Sequence, residues 1–419
     1  MNPNRRRTSF NSSVSGIAAP IPHTALGRRH RPDYGLLVGM LMLVAIGLVV
    51  IYSISPALSV QLKGDVSANH FMYRQIMYLV FGFTAFIAGT GLPLSVWGKL
   101  YKLIIGLAVI SFFLLFIPAT SITYLGATRW VHIGPINYQP AELLKFGLVF
   151  YVSAFLAHKI KSRQIDNDSV SKWFLVVLAV TGLEIVVIQR DLGTMIPIAA
   201  IMLAMLYVAG IARRRFYAIV GVLIIAAGMS ILPFQHRRER VFTFLNSSSD
   251  SQDSGWHINQ ALIAVGTGGL MGKGLGQSVQ AFGYVPEAAN DSIFAIMAEK
   301  FGFIGMIVVF IIYGVLLIRV LEVARRAPNH YLQLVCVGVF AWIAVQAFVN
   351  IGAMLSIMPL TGVTLPFLSF GGTSLVFTMT ALGIVFNISR YTQVGNLNEG
   401  AVNADSYGRR RVGRSRYTA

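Results

Sequence analysis

Two carboxylates, Glu287 and Asp291, stand four residues apart just ahead of a long apolar stretch, and a third, Glu299, falls about two turns inside it. Ionisable groups at membrane depth are costly, so they tend to face a polar cavity with a function. A carboxylate half-buried at a membrane surface loses hydration, which raises its pKa and makes it a better proton acceptor near neutral pH. Asp291 is therefore the candidate general base. Glu287 is positioned to raise that pKa further or to hold a cation. The plainer reading of Asp291 is a cap on the helix opening at Ser292.

Other groups gather in short motifs. In Gln139-Pro-Ala-Glu-Leu-Leu-Lys145, Pro140 suits a first helical turn, and Glu142 and Lys145 share a face three residues apart. They read as an intrahelical ion pair or as a charged lining of an outward-facing cavity. Arg129 beside Trp130 gives a cation and an aromatic, either a membrane-interface anchor or part of that cavity. Asp191, in the turn Gln189-Arg-Asp-Leu-Gly-Thr194, can cap the next helix and can also hold Lys145 or Arg190. The run from Gly266 to Gly276 fits neither dinucleotide nor P-loop spacing, because Gly274 follows Lys273 where Ser or Thr is required. Glycine turns with a lysine could still bind pyrophosphate, or form a flexible or re-entrant loop. Ser369 and Thr373 cluster where Pro366, Gly371 and Gly372 interrupt an apolar run, and broken backbone at membrane depth is buried or lines a cavity. No HExxH or Cys/His cluster suggests a zinc hydrolase, and the eight scattered histidines offer no evident partner base.

The elements that must position these groups are membrane spans. The chain of 419 residues is 55% hydrophobic and only 12% charged, against about 25% in soluble domains. Segments near 34–55, 71–92, 101–118, 139–158, 171–188, 192–210, 216–233, 292–318, 331–354 and 366–388 are long and apolar enough to cross. The expected fold is thus an all-α polytopic membrane protein of about ten helices, with a large extracytoplasmic loop over about 234–291 between spans 7 and 8. The net charge of +18 sits in the tails and in alternate short loops, including Lys99 and Lys102, which fits the positive-inside pattern and contact with anionic membrane lipid rather than nucleic acid. Both termini are expected in the cytoplasm. Residues 1–33 and 391–419 read as basic, disordered tails flanking a membrane domain over 34–390, and the first as no cleaved signal peptide. Arg237, Arg238, Arg240 and Lys273 lie in the outer loop against the charge trend, as a solvated surface or as an anion site. The single Cys336 excludes an intrachain disulfide.

Taken in order, these blocks resemble the SEDS family (shape, elongation, division and sporulation, with FtsW, RodA and SpoVE as members), and within it the FtsW type. The blocks are Gly47-Leu-Val-Val-Ile-Tyr-Ser53, Arg129-Trp130, Gln139 to Lys145, Asp191-Leu-Gly-Thr194, the glycine run, Pro286-Glu287 with Asp291, and Leu365-Pro-Phe-Leu-Ser-Phe-Gly-Gly-Thr-Ser374. The chain departs from the family at Asn290-Asp291-Ser292, at Arg190, where proline is usual, and in the Ser- and Asp-rich stretch after Arg240. The resemblance implies a ten-span peptidoglycan glycosyltransferase of the bacterial cytoplasmic membrane. It would polymerise lipid II at the outer leaflet in cell-wall synthesis, at the division septum for this type. It implies Asp291 as the essential aspartate, with Glu142, Lys145 and Asp191 supporting it. Arg129, Lys145, Arg240 and Lys273 are candidates to stabilise the leaving pyrophosphate. A divalent cation, Mg or Mn, on Asp291 and Glu287 is a further expectation, with no organic cofactor. The implied partners are a single-span class B penicillin-binding transpeptidase and other divisome or elongasome membrane proteins. Two rival readings are a lipid II flippase, for which Glu184 and Glu299 would supply charge at depth, and a non-catalytic divisome scaffold.

Overall fold

The computed structural model describes residues 29–60, 67–117, 121–124, 127–133, 136–232, 234–245 and 254–392. Most of both tails and the Ser- and Asp-rich stretch over 246–253 lie outside the described residues. In hydrocarbon, peptide groups have no water to bond, so helices that satisfy them internally dominate. The helices are α1 (Tyr34–Val60), α2 (His70–Gly91), α3 (Leu94–Phe113), α4 (Pro140–Lys161), α5 (Asp168–Gly182), α6 (Leu192–Val208) and α7 (Arg213–Ile231). Then follow α8 (Gln235–Leu245), α9 (Ser254–Gly268), α10 (Ile293–Arg325), α11 (His330–Met354) and α12 (Gly372–Ile388). Among the described residues nine helices are long and apolar enough to cross a membrane, and α6 is a shorter apolar helix that matches the remaining expected span. The chain is a multi-pass, helical membrane protein.

Burial along the apolar windows separates the bundle into a centre and a rim. α12, α11 and α4 are 89%, 72% and 67% buried, whereas α7 is 6% buried and its apolar sides face outward. α12 packs along α2, α11 along α6 and α10, and α3 along α4. The centre is therefore a rigid support, and α7 is a weakly held wall. The two ends of the described chain meet: His30 N donates to Arg390 O at 2.8 Å and Asp33 N to Ser389 Oγ at 3.0 Å. The two ends of the described chain thus lie together.

Local sequence sets the element boundaries. Pro140 opens α4, and Asn167, Asp191 and Asn329 cap α5, α6 and α11 by accepting a backbone N–H. Three features depart from expectation. Lys99 and Lys102 lie inside α3, which starts at Leu94; long lysine stems let a helix begin within the basic stretch and still carry the charge to water. α12 starts at Gly372 rather than at 366, because Pro366 to Gly371 form a turn. The fold also includes a small antiparallel sheet, β1 (Ser121–Tyr124), β2 (Ala127–Ile133) and β3 (Ile136–Tyr138), in the connection from α3 to α4. The long connection from α7 to α10 holds α8 and α9.

Candidate active site

The functional side chains come from loops fixed on the central helices. Asp291 precedes α10, in a turn closed by Asn290 N and Ser292 N, both donating to Glu287 O. Ser292, not Asp291, occupies the cap position of α10 and makes no side-chain cap bond, so the capping reading of Asp291 does not hold. From α11, Asn350 Nδ2 donates to Asp291 O and to Val363 O, each at 2.7 Å, and ties this turn to the 358–364 loop. Gly362 in that loop has φ 69°, a left-handed conformation open to glycine. A Cβ there would meet Asp291 Oδ2 at 3.7 Å and Arg129 Nη1 at 3.8 Å, so carboxylate and guanidinium face one small space.

This space opens into a cavity of about 2180 Å³. Arg129, Arg190, Asp191, Arg240, His257, Glu287 and Asp291 form its polar end, and Arg74 lines it from α2. Its long wall is apolar and runs between α5, α6 and α7, with Leu178, Val186, Met195, Ile196, Leu223 and Ala227 among its residues. Arg129 Nε lies 3.6 Å from Asp191 Oδ2, and Arg240 Nη1 donates to Leu360 O at 3.3 Å. Asp191 both caps α6, accepting from Thr194 N and Oγ1, and orients Arg129. It does not hold Lys145, which pairs with Glu142 instead.

Electrostatics mark Asp291 out. Burial first, and the Glu287 charge second, push its carboxyl up to about 7, against a bond from the Asp291 backbone N–H and the pull of Arg240 and Arg129. Its Oδ1 is enclosed and has no hydrogen-bond partner, while the group keeps a partly exposed edge on the cavity. Such a group is ionised near neutral pH and remains basic enough to take a proton. Burial and the Arg129 charge lower the Arg240 pKa, opposed by Asp191 and Asp291.

The other sequence candidates lie elsewhere. Lys145 and Glu142 form a buried ion pair at 2.8 Å beneath the cavity rather than on its wall. Lys145 also reaches Gln346 Oε1 at 3.2 Å and stands 5.2 Å from the Trp342 ring centroid, and Gln346 continues to Thr364 and Ser374. The pair thus braces the loop that carries Gly362. Lys273 is not at the cavity; its Nζ lies 3.6 Å from Glu299, because the glycine run folds against α10. Ser369 Oγ accepts from Leu365 N at 2.8 Å inside the turn before α12, and Thr373 is buried beside it; neither lines the cavity. Glu287 and Asp291 are only two carboxylates, with guanidinium groups in the same space. Among the described residues no group of three or more His, Cys, Asp or Glu gathers. The donor set does not make a metal centre by itself.

His257, Gln346 and Asn350 escaped sequence reasoning, and Arg237 turns out to have a structural role. His257 Nε2 bonds Ser292 Oγ at 2.6 Å, and Ser292 Oγ donates to Pro286 O, so Nε2 carries the proton. Burial and then Arg240 lower the His257 pKa to about 4, which keeps the ring neutral. Arg237 is buried, donates to Ser230 O at 2.8 Å and to Val186 O, and links α7 to the π-helical end of α5. Gln346 and Asn350 were visible only as two amides one turn apart in an apolar helix, a pattern that does point inward.

The family is decided by the comparison over the whole membrane domain, since residues 34–394 match the model of the FtsW, RodA and SpoVE family, described as cell cycle proteins. The chain belongs to this family. It is 36% identical over 372 residues to the stage V sporulation protein E of Bacillus subtilis, covering 87% of this chain and 99% of that one. It is 31% identical over 361 residues to the protein of Nitrosomonas europaea named "Probable peptidoglycan glycosyltransferase FtsW", covering 85% and 92%. The rod shape determining protein RodA of Thermus thermophilus shares the fold with a TM-score of 0.61 and 25% identity, over 86% of this chain and 98% of that one. A chain of a peptidoglycan synthase complex that coordinates polymerization and crosslinking superposes with a TM-score of 0.67 at 24% identity, over 86% and 98%.

Proposed function

We propose that this protein is a peptidoglycan glycosyltransferase that polymerises lipid II, with Asp291 as general base. The enzyme class follows from its family. The observation that carries the residue assignment is one carboxyl, raised to about 7 and lacking a partner on Oδ1, in a cavity shared with Arg129 and Arg240 at the mouth of an apolar groove. Substrate and site match part by part. The groove between α5, α6 and α7 takes polyprenyl chain, and the arginines take pyrophosphate.

In the reaction, the 4-hydroxyl of the acceptor sugar attacks the anomeric carbon of the donor chain's reducing-end sugar. The new C–O bond forms as the bond from the anomeric carbon to the phosphate oxygen breaks. Asp291 accepts the hydroxyl proton, and undecaprenyl pyrophosphate leaves with the bonding electrons. Arg129 and Arg240 face the charge that develops on it. Asp191 orients Arg129, and Asn350 orients the Asp291 turn. A divalent cation arriving with the substrate would draw its remaining donors from the pyrophosphate.

The same reading assigns the protein to the bacterial cytoplasmic membrane, with both tails in the cytoplasm. The meeting of residues 30–33 with 389–392 and the basic tails support this orientation. It also assigns a role in septal wall synthesis, beside a single-span class B transpeptidase. The test is glycan polymerisation from lipid II by the purified protein with its transpeptidase, comparing wild type with Asp291→Asn. Polymer only from the wild type supports the assignment. Polymer from both moves the base elsewhere, Glu287 first. Polymer from neither, with lipid II still bound, favours transport or scaffolding.

A further inference from the structure

The chain from Ser254 to Val285 is joined to α10 as a buried hairpin would be. α9 runs beside the opening turns of α10, with His257 at Ser292 and Gly268 against Ala298, and the chain then doubles back. α10 breaks at Gly302, where φ is 65°. The break frees two donors for the hairpin: Phe303 N donates to Gly269 O at 2.9 Å and Ile304 N to Leu270 O at 3.1 Å. In return Lys273 N donates to Glu299 O at 2.9 Å and Gly274 N to Lys300 O at 3.0 Å. A Cβ on Gly302 would fall 2.3 Å from Gly272 N, so the two backbones meet where only glycine fits.

Side chains complete the closure. Glu299, 0% exposed, accepts from Ser278 Oγ at 2.5 Å and from Val279 N at 3.0 Å. Lys300 Nζ donates to Leu275 O at 2.7 Å. Hydrocarbon offers peptide groups no partner, so backbone that enters it must pair internally, as Gly269, Leu270, Gly272, Lys273 and Gly274 do here. The two large outward side chains at the tip are apolar. Leu270 is 67% and Met271 78% exposed, and they continue the exposed apolar face of α10 at Phe303, Ile304 and Ile307. Arg319, paired with Asp33 and Glu322, marks the far aqueous end of α10. At 1.5 Å per residue Ile304 stands ~22 Å from it, inside a hydrocarbon layer ~30 Å thick.

We propose that residues 254–285 form a re-entrant hairpin whose tip, Leu270 and Met271, is inserted among the acyl chains of the leaflet on the Asp291 side. The hairpin begins at His257, which bonds the residue after Asp291, so its seating in lipid is tied to the catalytic turn. Insertion needs no substrate and stands apart from the assignment of the base.

The test uses full-length protein with Cys336→Ala and a spin label at Met271→Cys or, as an aqueous control, Ser162→Cys, in phosphatidylethanolamine–phosphatidylglycerol vesicles. Collisions with lipid-soluble oxygen should exceed those with a water-soluble nickel chelate several-fold at position 271, and the order should reverse at 162. Nickel-dominated collisions at 271 would overturn the proposal. So would shielding from both reagents, which would mean that a second copy of the protein covers the tip. In a Glu299→Gln background the 271 label should move toward nickel access, and an unchanged label would remove Glu299 from its role as the lock.

Discussion

Asp291 and Glu299 are eight residues apart at one end of α10, and the protein treats them in opposite ways. Glu299 is fully enclosed, and both of its oxygens are engaged, by Ser278, Val279 and Lys273. Asp291 is held by its backbone, through Asn350, while Oδ1 has no partner and the carboxyl rises to about 7. A carboxylate whose lone pairs are all bonded is a fastener. One left with an unpartnered oxygen, and poorly solvated, is free to exchange a proton. The difference is in wiring, because both are acidic groups beside the same apolar helix.

The largest effect should come from the unengaged carboxylate. Asp291→Asn preserves shape and removes the base, and polymerisation should fall by roughly 10²- to 10⁴-fold while lipid II binding persists. Stability should move the other way. The native pKa exceeds the unfolded value of about 4, so the native state loses stability as the pH rises from there through about 7. Thermal melts should show Asp291→Asn gaining on wild type at pH ~8 and much less at pH ~5.

Arg240→Gln comes next. Removing a cation that faces the leaving group should lower the rate by roughly 10²-fold. It should also raise the Asp291 pKa, because Arg240 now pulls it down. Breaking the fastener should act on stability. Glu299→Ala leaves Ser278 and two backbone donors short of an acceptor and should cost about 1–3 kcal/mol, read as a lower melting temperature. Asn350→Ala, which strips a donor from two carbonyls, should cost about 1–3 kcal/mol and lower polymerisation through loss of the Asp291 position. The smallest effect sharpens the comparison most. Glu287→Gln removes the charge that raises Asp291, so the rate–pH curve should shift to lower pH, opposite to Arg240→Gln.

What was legible in the sequence followed from local rules. Apolar length located the spans, and the cost of charge near a membrane pointed to Glu142, Lys145, Asp191, Glu287 and Asp291. What was not legible depends on which distant segments meet. Arg129 reads equally as an interfacial anchor or a cavity group, and only β2 carrying it to Asp191 and the 358–364 loop decides between them. Lys273 has the right type for an anion site, but the glycine run turns it toward Glu299 instead. His257 joins the site only because α9 runs back along α10, and no local pattern encodes that return.

The most direct test of the account is the rate–pH profile of glycan polymerisation from lipid II, measured as kcat/KM over about pH 5.5–8.5 for wild type and Asp291→Asn. The wild-type rate should climb with pH through an inflection near 7, the pKa of Asp291 in its cavity, and the Asn variant should stay near background throughout. An Asn variant that keeps the wild-type rate and the same inflection would contradict Asp291 as the base.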